Sequence, residues 1–181
     1  MNIKNVSLFG ILFAFVVIAL GAWTRLVDAG LGCPDWPGCY GFVFFPTTEA
    51  EVALAEQRYP AFPYEIDKAI PEVVHRYFAA ALGLLAIFIV YLTHKTEDKQ
   101  NKRISIFLLI FICCQGLFGY LTVSLKLLPI IVTTHLFGGF ITLSTFFYLY
   151  IKNSNFFKNF QIGHLKNLAM LALFVLVIQI F

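Results

Sequence analysis

Two histidines lie inside long apolar runs of this sequence, where ionisable residues are rare. His75 follows Pro71 by four residues, and His135 follows Pro129 by six. If each proline opens a membrane helix, the two imidazoles lie about 6 Å and about 9 Å from the same end of their helices. Ionisable groups at membrane depth are costly and usually have a function. The matched depth suits axial ligation of one haem iron, although each imidazole could instead only hydrogen-bond across a bundle.

Three charged residues lie close to these positions or to the same end of the helices. Glu72 is three residues before His75 and therefore on the same helix face. It could move protons near a haem, or it could be a first-turn acid that complements the helix dipole. Arg76 and Arg25 could bind haem propionates, because guanidinium pairs well with carboxylate. Both arginines could instead be interfacial residues that snorkel towards water.

The segment 24–72 between the first two apolar runs is polar and contains six of the seven prolines. Its turn-forming and aromatic residues predict a compact structure on the membrane surface. Cys33 and Cys39 lie in this segment, and a disulfide between them would persist on an oxidising side of the membrane. Such a disulfide would be either a structural staple or a redox-active pair, since exposed disulfides can be labile.

The elements that must position these residues are membrane helices. Of the 181 residues, 60% are hydrophobic and 13% are charged, too few to cover the surface of a soluble domain. The net charge of +3 gives no indication of nucleic-acid binding. Four apolar runs have about the 20 residues that a span needs, and a fifth begins near Leu165. The four runs are 6–23, 73–93, 104–123 and 130–151. The predicted fold is an all-α transmembrane four-helix bundle with a truncated fifth span.

Positive charge predicts the orientation of the chain. The loop between spans two and three contains Lys95, Lys99, Lys102 and Arg103, which places it in the cytoplasm by the positive-inside rule. The N-terminus is then cytoplasmic and the loop 24–72 extracytoplasmic. The absence of a transit-like presequence favours a bacterial plasma membrane. We expect residues 1–151 to form a haem-binding bundle. Residues 152–181 are expected to form a cytoplasmic loop and the start of a fifth span.

Four motifs together resemble the haem A synthase family. Residues 24–26 (TRL) and 30–39 (GLGCPDWPGC) resemble the first outer loop of that family. Residues 72–76 (EVVHR) resemble its Glu-x-x-His-Arg signature. Two further segments, 119–123 (GYLTV) and 134–139 (THLFGG), are similar to its third and fourth spans. The outer loop and the signature together make this resemblance specific.

The resemblance implies a reaction and a set of roles. Haem A synthases oxidise a methyl group of haem O to a formyl group, which gives haem A for cytochrome oxidase. His75 and His135 would ligate the substrate haem, and Glu72 would be the nearby carboxylate needed for activity. Cys33 and Cys39 would be the outer-loop pair. Haem O synthase and cytochrome oxidase assembly factors would be partners, besides membrane lipid, and an oligomer is possible.

The chain departs from the family in its extent. Family members have roughly eight spans in two similar halves, and the second half supplies a histidine pair for a haem b cofactor. This chain resembles the first half, so we expect a missing second half, although a homodimer of halves could mimic the fold. Three other functions stay open: a bis-histidine b-type cytochrome, a membrane thiol oxidoreductase using Cys33 and Cys39, and an assembly subunit without chemistry.

Overall fold

The computed structural model describes residues 2–154 and Met170. Within them the chain forms five helices, and the predicted all-α class is confirmed. The predicted fifth span, which begins near residue 165, lies outside the described residues. The helices are α1 (Ile3–Leu26), α2 (Glu49–Arg58), α3 (Ile66–His94), α4 (Lys99–Ser124) and α5 (Pro129–Lys152).

Helices α1, α3, α4 and α5 are long and apolar enough to cross a membrane, as predicted. Three of them extend only a few residues beyond the predicted apolar runs. Helix α3 differs, because it begins at Ile66, seven residues before the predicted start at Val73. Pro71, expected in the first turn, is instead the sixth residue of α3. There its ring removes only one intrahelical hydrogen bond, close to the helix start, so the helix tolerates it.

The four long helices form the predicted bundle. Helices α1 and α4 each pack against both α3 and α5. Helices α3 and α5 therefore face each other diagonally across the bundle axis. We call the end where α3 and α5 begin the loop end, because the segment 27–65 lies there, and the other end the closed end.

The apolar core of the bundle lies towards the closed end. Its largest fully buried side chain is that of Phe146 on α5, which is 0% exposed. Gly10 on α1 makes this packing possible, because a Cβ atom there would overlap the Phe146 ring. The buried members of this core are Val6, Ala14, Val17, Leu82, Ala86, Ile89, Leu108, Phe146 and Leu149.

Polar residues tie α4 to α5 at the closed end. Asp98 caps α4, since its carboxylate accepts hydrogen bonds from the backbone N–H groups of Gln100 and Asn101. Lys152 near the end of α5 donates to the same carboxylate. The Asn101 side chain donates to the Asn153 amide oxygen over 2.9 Å. These bonds close the bundle where the α3–α4 turn meets the end of α5.

The segment 27–65 is compact, as predicted, and has a small core of its own against the start of α3. Helix α2 within it was not anticipated. Its N-terminus is a capping box, in which Thr48 and Glu51 each bond to the backbone of the other. The sequence Thr48-x-x-Glu51 was a readable signal for this helix. The buried residues of the small core are Cys33, Cys39, Tyr40, Ala55, Ala69 and Val73.

Candidate functional site

The two predicted histidines meet in the interior of the bundle. His75 on α3 and His135 on α5 come from the two helices that face each other diagonally. Their ring centroids are 6.5 Å apart, and the ring planes are inclined by 85°. The prediction that the two imidazoles lie at matched depth on the same side of the bundle is therefore confirmed.

Glycines on the other two helices face this histidine pair. A Cβ atom on Gly21 of α1 would lie 2.9 Å from Cε1 of His75, and one on Gly119 of α4 would lie 3.8 Å from Cε1 of His135. Gly21 therefore permits a close approach that no larger residue would allow. Sequence reasoning missed Gly21. A sequence signal was available, because Gly21 lies little more than one turn before the end of α1 and therefore at the same end of the bundle as the histidines.

Each imidazole of the pair has one nitrogen without a hydrogen bond. The Nδ1 atoms of His75 and His135 are buried, and within the described part of the chain neither has a partner. A buried polar group left unpaired costs about 1–3 kcal/mol. Two facing imidazoles are a donor set that ligates haem iron, because the porphyrin fills the remaining positions. The residues present at this site therefore fit a haem.

Glu72 lies one turn before His75 and is 4% exposed. One carboxylate oxygen pairs with Arg76 Nη2 at 2.5 Å, and the other accepts the backbone N–H of Cys33 at 2.9 Å. The alternative role as a first-turn acid is wrong, because α3 begins at Ile66 and the dipole effect falls off within the first turn. Glu72 instead connects α3 to the segment 27–65.

Arg76 points towards the segment 27–65 and not to open solvent. Its Nη1 atom donates to the backbone carbonyl of Asp35 at 2.9 Å and to that of Gly38 at 2.5 Å. A longer contact of 3.4 Å reaches the carbonyl of Pro37. With Nη2 on Glu72, both terminal nitrogens of the guanidinium are engaged. The predicted propionate role of Arg76 stays a prediction beside these contacts.

Arg25 lies in the last turn of α1, at the loop end, and is exposed. The residue before it, Thr24, is buried and donates its hydroxyl to the carbonyl of Pro71 at 3.3 Å. Thr24 therefore joins the end of α1 to α3, a contact that sequence reasoning missed. The predicted propionate role of Arg25 also stays a prediction.

Residues 33–41, which we call the cysteine loop, form a tight structure beside α3. The Sγ atoms of Cys33 and Cys39 are 2.02 Å apart, and both residues are 0% exposed. Asp35 organises the turn, since its carboxylate accepts the backbone N–H groups of Tyr40 and Gly41. Sequence reasoning missed this role of Asp35. An aspartate beside prolines and glycines is a turn-forming pattern that could have indicated it.

Tyr40 anchors the far end of the cysteine loop. It is 2% exposed, and its hydroxyl donates to the carbonyl of Pro63 at 3.0 Å. Burial, and after it the negative charge of Glu65, raises the pKa of Tyr40 to about 12. The phenol therefore stays protonated at physiological pH and keeps its role as a donor.

The chain matches the family described as cytochrome oxidase assembly protein over residues 4–181. It is 43% identical over 173 residues to the haem A synthase of Shewanella oneidensis, covering 94% of this chain and 52% of that protein. It is 27% identical over 194 residues to the haem A synthase of Flavobacterium psychrophilum, covering 94% of this chain and 57% of that protein.

The family match and the four apolar helices define the class of the protein: a membrane protein of the family described as cytochrome oxidase assembly protein. More particularly, the chain belongs to the haem A synthase family. The predicted resemblance is therefore confirmed. The chain spans about half the length of the curated relatives it matches.

Proposed function

We propose that this chain is the substrate-haem half of a haem A synthase, which oxidises a methyl group of haem O to the formyl group of haem A. The observation that carries the proposal is the pair His75 and His135, whose rings face each other 6.5 Å apart in the bundle interior. The unpaired Nδ1 atoms and the facing glycines Gly21 and Gly119 support it. The relatives that match this chain carry the name haem A synthase.

In this proposal the residues of the chain bind and orient the haem. His75 and His135 ligate the iron, and Arg76 and Arg25 are candidate partners of the propionates. Glu72 supplies a carboxylate one turn from His75, where it orients water or moves a proton near the methyl group. The bound haem supplies the redox-active iron.

We also infer that Cys33 and Cys39 form a disulfide that acts as a staple. Both residues are 0% exposed and belong to the small core of the segment 27–65. A redox relay needs a sulfur that a partner can reach, whereas a buried sulfur is inert. The staple keeps the cysteine loop compact beside α3.

The proposal extends to the setting of the chain. Residues 1–151 are the haem-binding bundle, and residues 152–181 open a second half that would hold haem b. Lys95 in the α3–α4 turn and the basic residues in the first turns of α4 support a cytoplasmic closed end, with the segment 27–65 outside a bacterial plasma membrane. Haem O synthase and cytochrome oxidase assembly factors are the proposed partners.

The test is haem binding and conversion by matched histidine variants. We expect His75→Ala and His135→Ala each to abolish the bis-histidine signal in reduced-minus-oxidised spectra of the purified chain supplied with haem O. His94→Ala is the control, because His94 is exposed at the closed end and its ring is hydrogen-bonded to the Val90 carbonyl of its own helix. Retention of the signal in both interior variants would contradict the proposal.

Extraction of the pigment separates the enzyme from a simple cytochrome. In a membrane that supplies the rest of the enzyme, formation of haem A marks the synthase. Unchanged haem O marks the b-type cytochrome. Glu72→Ala is expected to abolish conversion while haem still binds, and full conversion by this variant would refute the role of Glu72.

A further inference from the structure

The cysteine loop reaches across the loop end of the bundle. On one side it meets Arg76, the residue after His75 on α3. On the other side, the ring of Trp36 contacts the ring of Tyr120 on α4, with centroids 5.9 Å apart. Tyr120 follows Gly119, which faces His135. The loop therefore contacts α3 at the residue next to His75, and it contacts α4 at the residue next to the glycine that faces His135.

Glu72 and Arg76, one turn apart on α3, both bind the backbone of this loop. Glu72 accepts the N–H of Cys33, the first residue of the loop, over 2.9 Å. Arg76 donates to the carbonyls of Asp35 and Gly38, which precede Cys39. The side chains of the ion pair are only 6% and 11% exposed. A guanidinium offers five donors in a rigid fork, so one arginine can bind the carboxylate and the carbonyls together.

A buried ion pair is favourable only if further hydrogen bonds satisfy both partners. Here the backbone of the cysteine loop supplies those bonds, so the loop and the ion pair depend on each other. Removing Arg76 would leave Glu72 buried without its counter-charge and would free the carbonyls of Asp35 and Gly38.

The geometry points to Arg76 as a positioning residue. Through its ion pair with Glu72, it clamps the cysteine loop over the loop end of the bundle, which contains the histidine pair. This assignment goes beyond the proposed function, since the clamp requires no haem. It differs from a propionate role in what it predicts. A clamp orders the loop in the haem-free chain, whereas a propionate partner affects only haem retention.

The test is hydrogen–deuterium exchange of the purified chain in detergent, measured by mass spectrometry with and without added haem. The reporters are the backbone amides of Cys33, Tyr40 and Gly41, which are hydrogen-bonded to Glu72 or Asp35. We expect Arg76→Gln to speed their exchange roughly tenfold in both states, because charge-assisted bonds are lost. Exchange in α4 and α5 should not change. Lys126→Gln, at an exposed cation in the α4–α5 turn at the same end, is the matched control and should leave the reporters unchanged.

Unchanged reporter exchange in Arg76→Gln would overturn the clamp, and a simultaneous loss of bound haem would then assign Arg76 to the propionates. If Arg76→Gln disturbs the whole bundle, Arg76→Lys decides the question. Lysine keeps the charge beside Glu72 but lacks the planar fork for the carbonyls. Intermediate exchange confined to the cysteine loop supports the clamp, and wild-type exchange contradicts it. Loss of the proposed haem site alone would leave this readout intact, so the two proposals fail separately.

Discussion

The two ends of the helix bundle are built from different kinds of contact. At the closed end, apolar side chains such as Phe146 fill the interior, and polar residues such as Asp98 and Asn101 have partners. At the loop end, the interior contains His75 and His135, each with a buried nitrogen that has no hydrogen bond within the described residues. Among the described residues, the closed end leaves one buried side-chain atom without a hydrogen bond, the Ser7 hydroxyl oxygen, whereas the loop end leaves a nitrogen on each of two neighbouring imidazoles.

This difference indicates that the closed end stabilises the bundle and the loop end binds. A membrane helix bundle is held mainly by close packing and interhelical hydrogen bonds, since lipid is as apolar as the side chains. Helix α1 contributes a glycine to each end, and the two glycines meet different partners. Gly10 lies against Phe146, whereas Gly21 lies against His75.

The largest expected effect on stability comes from emptying the packed end. Phe146→Ala removes a ring that is 0% exposed and leaves a cavity beside Gly10. We expect the free energy of unfolding to fall by about 3–5 kcal/mol, measured by denaturation in detergent. Phe147→Ala is the control, because Phe147 is adjacent and 47% exposed. Equal losses for both variants would show that the closed end is not the stabilising core.

Alanine at the two glycines of α1 should separate the two ends. Gly10→Ala places a methyl group against the Phe146 ring and is expected to lower stability by about 1–3 kcal/mol, with haem still bound. Gly21→Ala forces the His75 ring to move, because the new Cβ atom would lie 2.9 Å from Cε1. Gly21→Ala should therefore perturb the haem spectrum more than the thermal midpoint. Paired melting curves and difference spectra measure both quantities, and identical profiles for the two variants would remove the distinction between the ends.

The smallest expected effect concerns the charge that ties α4 to α5. The hydrogen bond from Lys152 is the main cause that lowers the pKa of Asp98 below its usual value of 3.8. A carboxylate with a lowered pKa adds stability above its unfolded pKa, and this stability is lost as the pH falls through the folded pKa. Asp98→Asn keeps a good helix cap and removes only the charge.

We therefore expect Asp98→Asn to lower the thermal midpoint slightly at neutral pH. The difference should shrink as the pH falls below 3.8 and through the lowered folded pKa, because the wild-type carboxylate then becomes protonated as well. Melting curves of both proteins across this range check the prediction. A difference that persists in acid would mean that the charge of Asp98 is not its cause.

Much of the fold could be predicted from hydropathy, because an apolar run of about 20 residues has few alternatives to a membrane helix. The boundary of α3 could not be predicted in this way. Residues 66–72 include charges and a proline, and they are helical because Glu72 and Ala69 pack against the segment 27–65. Helix α2 was readable only from its capping box at Thr48 and Glu51.

The candidate site likewise has one part that could be predicted from the sequence and one part that could not. The pairing of His75 with His135 followed from residue type and helix register, since both helices start at the same end. The contacts of Arg76 did not follow, because the carbonyls it binds at Asp35 and Gly38 are about 40 residues away in the chain. Because every residue has a backbone carbonyl, the sequence does not indicate which of them an arginine binds.

By itself, then, the sequence determined four membrane helices, the family and the two histidines. These depend on local hydropathy, on motifs and on a fixed rise per residue. Only the tertiary structure decided that Gly21 faces His75, that Phe146 fills the closed end, and that Glu72 and Arg76 bind the cysteine loop. Such contacts depend on how helices distant in sequence rotate and pack against one another, which the periodicity of each helix leaves undetermined.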